Sequence, residues 1–196
     1  MIRLRIFLLA FLANIPALSA ANKIAPDFTA TDSAGVEHNL SAHTGKIVIL
    51  EWMNPYCEQN GKYYNSKKLP MLQAKWNDDT VIWLMVNSYA EGQPGYVSGN
   101  VARFLLTSTG SKVDGFISDK SGTLAKQFGI DRVPSVAVIS GDKQLVYKGS
   151  FDDHQGEEVT GLLEAPSHID AVLTALKEKR QPNISSNPNG CVFERE

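Results

Sequence analysis

The stretch KIVILEWMNPYCEQN, Lys46 to Asn60, contains the features that decide the fold. Residues 46–53 form a nearly continuous apolar run, which is typical of a strand buried in the middle of a sheet. Pro55 ends this run. From Cys57 to Trp76 the apolar residues recur with helical spacing, which predicts a helix with a distortion at Pro70. The stretch therefore predicts a buried strand that runs into a helix beginning at a cysteine.

The rest of the chain alternates between strand and helix patterns. Strands are predicted over 80–86, 115–118, 135–140 and 144–148, and helices over 101–107, 121–128 and 167–179. The 121–128 helix is expected to be capped by Asp119 or Ser121. The loop Ser88–Tyr96 is expected to be solvated rather than to line a groove. This order predicts an α/β fold with a central mixed β-sheet flanked by helices.

Length, composition and charge describe one ordinary globular domain. The chain has 196 residues, of which 43% are hydrophobic, and a formal net charge of -2. That length is sufficient to bury a substantial core. Because the sequence has no basic stripe, no nucleic-acid partner is expected.

The N-terminus predicts a secretory signal peptide over residues 1–21. Two arginines precede a short apolar run, residues 6–13, and small residues follow it. The run is short for a bilayer span, so cleavage after Ala20 or Ala21 is expected; the alternative is a membrane-anchoring helix. The mature protein is thus expected to be periplasmic or secreted, without stable membrane insertion, where disulfides persist.

Cys57 lies where a nucleophilic thiol could be activated. A helix N-terminus has free amide donors and the positive end of the helix dipole, and both stabilise a thiolate. Glu51 lies in the preceding apolar run, where a carboxylate is costly unless it is paired or protonated. Glu51 is therefore a candidate for handling the thiol proton; the alternative is a carboxylate that points to solvent at the strand's edge.

The second candidate element is Arg132-Val133-Pro134, directly before a predicted strand. Proline lacks an amide donor, so it is unusual inside a sheet. Pro134 is consistent with a turn that lies beside the cysteine, and a cis peptide bond is one option for this turn. An ordinary proline at the start of a strand is the alternative.

These features together resemble the thioredoxin fold: a strand with a carboxylate six residues before a helix-capping cysteine, and a Val-Pro that leads into a hairpin. The front segment APDFT, 25–29, resembles the redoxin branch that peroxiredoxins share. WMNPYC, LPMLQAKW, VIWLMVNS, GSFDD and a Gly-Cys near the C-terminus resemble exported redoxin-domain proteins related to the alkyl hydroperoxide reductase and thiol-specific antioxidant superfamily. The resemblance covers about 24–191, and it implies a thioredoxin-like domain over 22–180.

Several positions depart from the family patterns. Thioredoxins carry a second cysteine where this chain has Asn60, so dithiol exchange within the helix is excluded. Peroxiredoxins have Thr or Ser at the position of Asn54, and an arginine near the cysteine, for which Arg132 is the candidate. Asn54 could still donate a hydrogen bond to a thiolate or peroxide. With one cysteine in the motif, no metal and no other cofactor is expected, and the four histidines are expected to be ordinary surface residues.

The second cysteine, Cys191, lies in a polar, turn-rich segment, 181–196, which we expect to be a flexible C-terminal arm. Eleven residues of extended chain reach up to about 35 Å, so Cys191 could return to most of one face of a small domain. It could resolve an oxidised Cys57. Two alternatives stay open: a purely structural disulfide, and two unpaired thiols.

The sequence thus favours an exported thiol-dependent oxidoreductase, with thioredoxin-like or peroxiredoxin-like activity. Its catalytic candidates are Cys57, Cys191, Glu51, Asn54, Arg132 and Pro134. The expected substrate is a peroxide or a protein disulfide or thiol, and the expected electron source is an external thiol reductant. The rival hypothesis is a non-catalytic redoxin-fold binding module with a structural Cys57–Cys191 disulfide.

Overall fold

A computed structural model describes residues 23–154, 156, 158–184, 186 and 189–193. The predicted signal peptide and the last residues of the predicted arm, 194–196, lie outside the described residues. Across the described part, no helix combines the length and the apolar character needed to cross a lipid bilayer.

Ten strands and six α-helices make up the described chain, together with one 3₁₀-helix, Leu40–His43. The strands are β1 Lys23–Ile24, β2 Thr29–Thr31, β3 Glu37–Asn39, β4 Ile47–Trp52, β5 Val81–Asn87, β6 Gly115–Ser118, β7 Arg132–Val133, β8 Ser135–Ile139, β9 Gln144–Gly149 and β10 Cys191–Val192. The α-helices are α1 Glu58–Asn65, α2 Lys68–Lys75, α3 Gly99–Thr109, α4 Thr123–Phe128, α5 Val159–Glu164 and α6 His168–Lys177.

The main sheet is mixed, with the strand order β1-β9-β8-β4-β5-β6. Strand β4 lies near its centre, parallel to β5 and antiparallel to β8, as the continuous apolar run of β4 predicts. The expected hairpin is the antiparallel pair β8–β9. Two small antiparallel pairs, β2–β3 and β7–β10, lie outside the main sheet. The predicted mixed sheet flanked by helices is confirmed.

The two faces of β4 contribute to separate apolar cores, because successive side chains of a strand point to opposite faces. Leu50 and Trp52 pack in the first core, together with Cys57 and helix α4. Ile49 and Met53 pack in the second core, which includes residues of α1, α2 and α6. The cysteine and the odd-numbered residues of β4 therefore belong to different layers of the domain.

The single helix predicted over 57–76 is wrong, because the chain forms two helices there. The break lies at Lys67, whose φ of 63° is left-handed and ends the helical path between α1 and α2. Pro70 does not distort a helix. It lies in the first turn of α2, where an amide has no partner within the helix, so a proline is tolerated there.

Two of the four histidines are buried, so the expectation of ordinary surface histidines is wrong for them. His38 is 5% exposed and lies 3.0 Å from the Asp32 carboxylate. His168 is 8% exposed, and its Nδ1 lies 2.9 Å from the Tyr147 hydroxyl. Polar partners inside the domain make burial of these rings possible.

Candidate functional site

Cys57 is the N-cap residue of α1 and immediately follows the turn that leaves β4. Its amide donates to the Asn54 carbonyl (3.1 Å), and its carbonyl accepts from the Gly61 amide (2.9 Å). The residue is 2% exposed, and its sulfur lies 3.5 Å from the Val133 carbonyl oxygen. The structure thus has the cysteine at a helix N-terminus, as predicted. The sulfur is surrounded by apolar residues, and solvent has little access to it.

Cys57 and Cys191 form a disulfide, with Cα atoms 6.0 Å apart and a separation of 134 positions in sequence. The structure therefore brings together the two cysteines that the sequence pairs as candidates. Neither is a free thiol.

The C-terminal segment reaches Cys57 by forming a strand. In the antiparallel β7–β10 pair, Cys191 lies opposite Val133 and Val192 opposite Arg132. Beyond it, the Phe193 amide donates to the Asp131 carbonyl at 2.8 Å. The segment that carries Cys191 is thus held by backbone pairing as well as by the disulfide.

A second anchor holds the arm further back along the chain. The Ser186 hydroxyl lies 2.8 Å from the Tyr147 hydroxyl and accepts from the Ser150 amide at 2.9 Å. Gly149 leaves room for this contact, because a Cβ there would lie 2.3 Å from the Ser186 oxygen. In the disulfide form Ser186 therefore contacts the end of β9, in addition to the strand pairing at Cys191.

An open cleft of about 330 Å³ borders the disulfide, of which Cys191 is the more accessible half. Its lining residues are Asn54, Tyr56, Cys57, Tyr89, Gln93, Pro94, Cys191 and Val192. Tyr56 is 78% exposed at its rim, whereas Tyr89 is 5% exposed. The expectation that the loop Ser88–Tyr96 is merely solvated is wrong, because three of its residues line the cleft.

Asn54 shapes the turn that presents Cys57. Its side-chain oxygen accepts from the Tyr56 backbone amide (2.8 Å), and its backbone amide donates to the side-chain oxygen of Asn60 (3.0 Å). Gly95 faces the side-chain nitrogen of Asn54, and a Cβ at Gly95 would lie 2.6 Å from that nitrogen. Asn60, which replaces the second cysteine of thioredoxins, is buried and supports this turn.

Glu51 is fully buried, so the alternative of a solvent-exposed carboxylate is wrong. One carboxyl oxygen pairs with the Tyr64 hydroxyl, and the other accepts from Gln73 (2.9 Å) and from the Trp83 indole (2.7 Å). Burial raises the pKa of Glu51 from 4.5 to about 7, although these hydrogen bonds favour the carboxylate. The carboxyl faces the second core, so the structure does not bring it to the Cys57 sulfur.

Arg132 and Pro134 flank the residue that pairs with Cys191. The Arg132 guanidinium pairs with its neighbour Asp131 at 3.1 Å, which raises the pKa of Arg132. Its backbone, rather than its charge, therefore contacts the β10 segment. The Val133–Pro134 peptide is cis, one of the options that the sequence left open.

Sequence reasoning missed Tyr89 and Phe193, which complete the apolar surrounding of the cleft. Their ring centroids are 5.0 Å apart, and both belong to the first core together with Cys57. An aromatic residue two positions after Cys191 in an otherwise polar segment was the available signal.

The sheet order and the position of the cysteine define a thioredoxin-like fold. Three solved structures of that kind are similar over most of this chain. An uncharacterized conserved protein from Geobacillus kaustophilus has a TM-score of 0.77 and 19% identity, and covers 92% of this chain and 94% of its own. A hypothetical protein from Sinorhizobium meliloti has a TM-score of 0.76 and 18% identity, with coverages of 90% and 95%. The exposed lipoprotein thioredoxin Etrx1 of Streptococcus pneumoniae has a TM-score of 0.51 and 23% identity, with coverages of 78% and 99%.

The Redoxin family profile matches residues 20–165, and the chain belongs to the Redoxin family. A search of curated proteins finds no match. The predicted thioredoxin-fold redoxin membership is therefore confirmed.

Proposed function

We propose that this protein is an exported thiol–disulfide oxidoreductase in which Cys57 is the nucleophile and Cys191 the resolving thiol. The observation that carries the proposal is the Cys57–Cys191 disulfide, which joins the N-cap of α1 to a strand at the C-terminal end of the chain. This disulfide suits thiol–disulfide exchange for two reasons. The helix N-terminus stabilises the thiolate of Cys57, and Cys191 is accessible from the cleft.

The first step is reduction of the disulfide by an external thiol. Cys191 is half-buried whereas Cys57 is 2% exposed, so the incoming thiolate attacks the Cys191 sulfur. The Cys57–Cys191 bond breaks, and Cys57 leaves as a thiolate that the helix N-terminus stabilises. A second external thiolate then attacks the sulfur that the first external thiol contributed to the mixed disulfide. This forms a disulfide between the two external thiols, releases Cys191 as a thiolate and completes a two-electron reduction.

The second step is reduction of a protein disulfide. The Cys57 thiolate attacks one sulfur of the substrate, forms a mixed disulfide and releases the other substrate sulfur as a thiolate. Cys191 then attacks the Cys57 sulfur, which releases the first substrate sulfur and restores the Cys57–Cys191 bond. This cycle needs the arm to leave β7 and return, and only two short anchors, at Ser186 and β10, have to open for it.

Peroxide receives less support than a protein disulfide as the oxidant. The Arg132 guanidinium is paired with Asp131, so it is not directed at the sulfur as a peroxide-polarising group would be. The Asn54 side chain lines the cleft; its oxygen accepts from the Tyr56 amide, so only its side-chain nitrogen could donate to a peroxide.

The test uses full-length single variants and a model protein disulfide. Reduced Cys191→Ser should consume one equivalent and stall as a mixed disulfide on Cys57, which mass spectrometry detects. Cys57→Ser should not react, and the reduced wild type should return to its internal disulfide. Hydrogen peroxide with a sulfenic-acid trap, run in parallel, should label Cys57 more slowly than the protein disulfide oxidises it.

The structural-disulfide hypothesis predicts different results for the same variants. A bond that closes a loop of this length stabilises the fold by about 3–5 kcal/mol, so both serine variants would lose similar stability. No trapped intermediate would form. Equal destabilisation together with no disulfide consumption by the reduced wild type would overturn the proposal.

The export part of the proposal has its own test. The signal-like segment 1–21 is basic, then apolar, then rich in small residues, and Etrx1, a neighbour in fold, is described as an exposed lipoprotein. We expect N-terminal sequencing of protein made in a secreting host to begin at Ala21 or Asn22. A soluble product that keeps Met1 would contradict export.

A further inference from the structure

The last described residues, Gly190–Phe193, pair with β7 in the manner of a bound peptide, and Cys191 and Val192 form part of the wall of the cleft. Along this extended segment the side chains alternate: Cys191 is half-buried against the domain, Val192 is 57% exposed, and Phe193 is 6% exposed. Alternation of this kind is what a strand shows when it adds to the edge of a fold. Each position of the segment therefore meets a different surface.

The position before the cysteine accepts only glycine. A Cβ on Gly190 would lie 2.0 Å from the Val133 carbonyl oxygen and 3.0 Å from the Pro134 ring. The φ of Gly190 is also 155°. A larger residue there would push the cysteine away from Cys57.

The position two residues after the cysteine fills an apolar pocket. The Phe193 ring lies 5.0 Å from the Tyr89 ring, centroid to centroid, in the same core as Cys57 and Val133. The Phe193 amide donates to the Asp131 carbonyl, which fixes the strand as the ring enters the pocket. An aromatic side chain at this position gains both area burial and ring contact.

Any sulfur that reaches Cys57 must pass through the same cleft. Cys57 is 2% exposed in the disulfide form, and the Val133 carbonyl lies beside its sulfur. When the arm leaves, the backbone edge of β7 and the Tyr89 pocket both lose their occupant. When a substrate cysteine takes the position of Cys191, the substrate residues beside it would contact the surfaces that Gly190 and Phe193 contact in the disulfide form.

We infer that the cleft beside Cys57, together with the β7 edge and the Tyr89 pocket next to it, is a peptide-binding site selective for an extended protein segment of the form Gly-Cys-any-aromatic. The chain's own Gly190–Phe193 occupies the β7 edge and the Tyr89 pocket in the disulfide form. This inference rests on the proposed function, because the client must react with a free Cys57. It adds a sequence preference: glycine against Val133, the cysteine at Cys57, and an aromatic ring against Tyr89.

The probe is a set of synthetic peptides whose cysteine is activated as a mixed disulfide with 2-nitro-5-thiobenzoate. The reduced Cys57 thiolate attacks the peptide sulfur, forms a Cys57–peptide disulfide and releases the coloured thiolate, so one disulfide breaks and one forms. The parent peptide has the sequence of residues 187–194. Three single changes place alanine at the glycine, at the residue after the cysteine, or at the aromatic position.

The protein is the full chain with Cys191→Ser and Phe193→Ala, so that its own arm competes weakly. Relative to the parent, we expect the peptides altered at glycine or at the aromatic position to react at least about tenfold more slowly. The peptide altered after the cysteine should react as fast as the parent, because Val192 is exposed. The reduced wild type gives the same comparison, since thiolate release precedes resolution by Cys191.

A pair of further variants locates the preference. Adding Tyr89→Ala should bring the parent and the aromatic-deleted peptide to within about twofold of each other. Adding Phe104→Ala, which removes an exposed aromatic from α3, should leave the preference intact.

Two results would overturn the inference, and they can be told apart. If all four peptides and the glutathione mixed disulfide of the same reagent react at equal rates, the cleft has no sequence preference while the proposed function stands. If Cys57 reacts with none of these reagents, the proposed function fails and the inference fails with it.

Discussion

The Phe193→Ala substitution tests whether the arm leaves the domain when the disulfide is reduced. Phe193 is 6% exposed and packs on Tyr89. If the arm departs on reduction, this packing forms only in the disulfide form, and losing it destabilises the disulfide relative to the dithiol. If the arm stays docked, both forms lose the same packing and the equilibrium does not move.

The magnitude follows from the buried ring. Burial of a phenylalanine side chain contributes about 2–3 kcal/mol. For a two-electron couple, about 30 mV corresponds to 1.4 kcal/mol. Phe193→Ala should therefore raise the reduction potential of the Cys57–Cys191 couple by about 40–60 mV, which makes the disulfide easier to reduce.

The assay equilibrates the protein with glutathione buffers of known ratio, then quenches and counts free thiols by mass spectrometry. Val192→Ala is the matched control, because Val192 lies in the same strand and is 57% exposed; its potential should shift by less than about 10 mV. A Phe193→Ala potential equal to that of the wild type, with a lower thermal midpoint, would refute the mobile arm. Cys191 would then resolve Cys57 without leaving its strand.

Three other substitutions test the groups around the site and the core. Because burial raises the pKa of Glu51 to about 7, its protonated form is favoured in the folded state, and wild-type stability should fall by about 3 kcal/mol as pH rises from 4.5 to 7. Glu51→Gln should lose this dependence in urea titrations, while the pH profile of Cys57 alkylation should stay unchanged, because the Glu51 carboxyl faces the second core. Glu58→Gln removes an exposed negative charge from the first turn of α1 and should lower the pKa of the reduced Cys57 thiol by a few tenths of a unit; an unchanged alkylation profile, followed on the Cys57 peptide, would contradict this. Lys68→Met leaves the buried Asp152 carboxylate without its 2.5 Å ion pair, and should cost about 3 kcal/mol in the free energy of unfolding; a loss under about 1 kcal/mol would contradict a stabilising role for this ion pair.

Local sequence patterns were sufficient for the central sheet and for the class of site. The apolar run of β4 and the hairpin β8–β9 are fixed by side-chain periodicity, and that signal lies within a few neighbouring residues. The N-terminal position of Cys57 on α1 follows from the same local pattern. The predicted single helix over 57–76 failed because Pro70 fits a first helical turn as well as a distorted interior.

The sequence by itself determined the Redoxin-type strand and helix order, the cysteine at a helix N-terminus, and the presence of only one other cysteine able to pair with it. Only the tertiary structure decided that Cys191 arrives as a strand against Val133, that Phe193 fills a pocket at Tyr89, and that Glu51 faces the opposite core. The physical reason is range. Propensity and periodicity act between near neighbours, whereas the Cys57–Cys191 contact joins positions 134 residues apart, and its geometry depends on how the sheet, the loop 88–96 and the arm pack together.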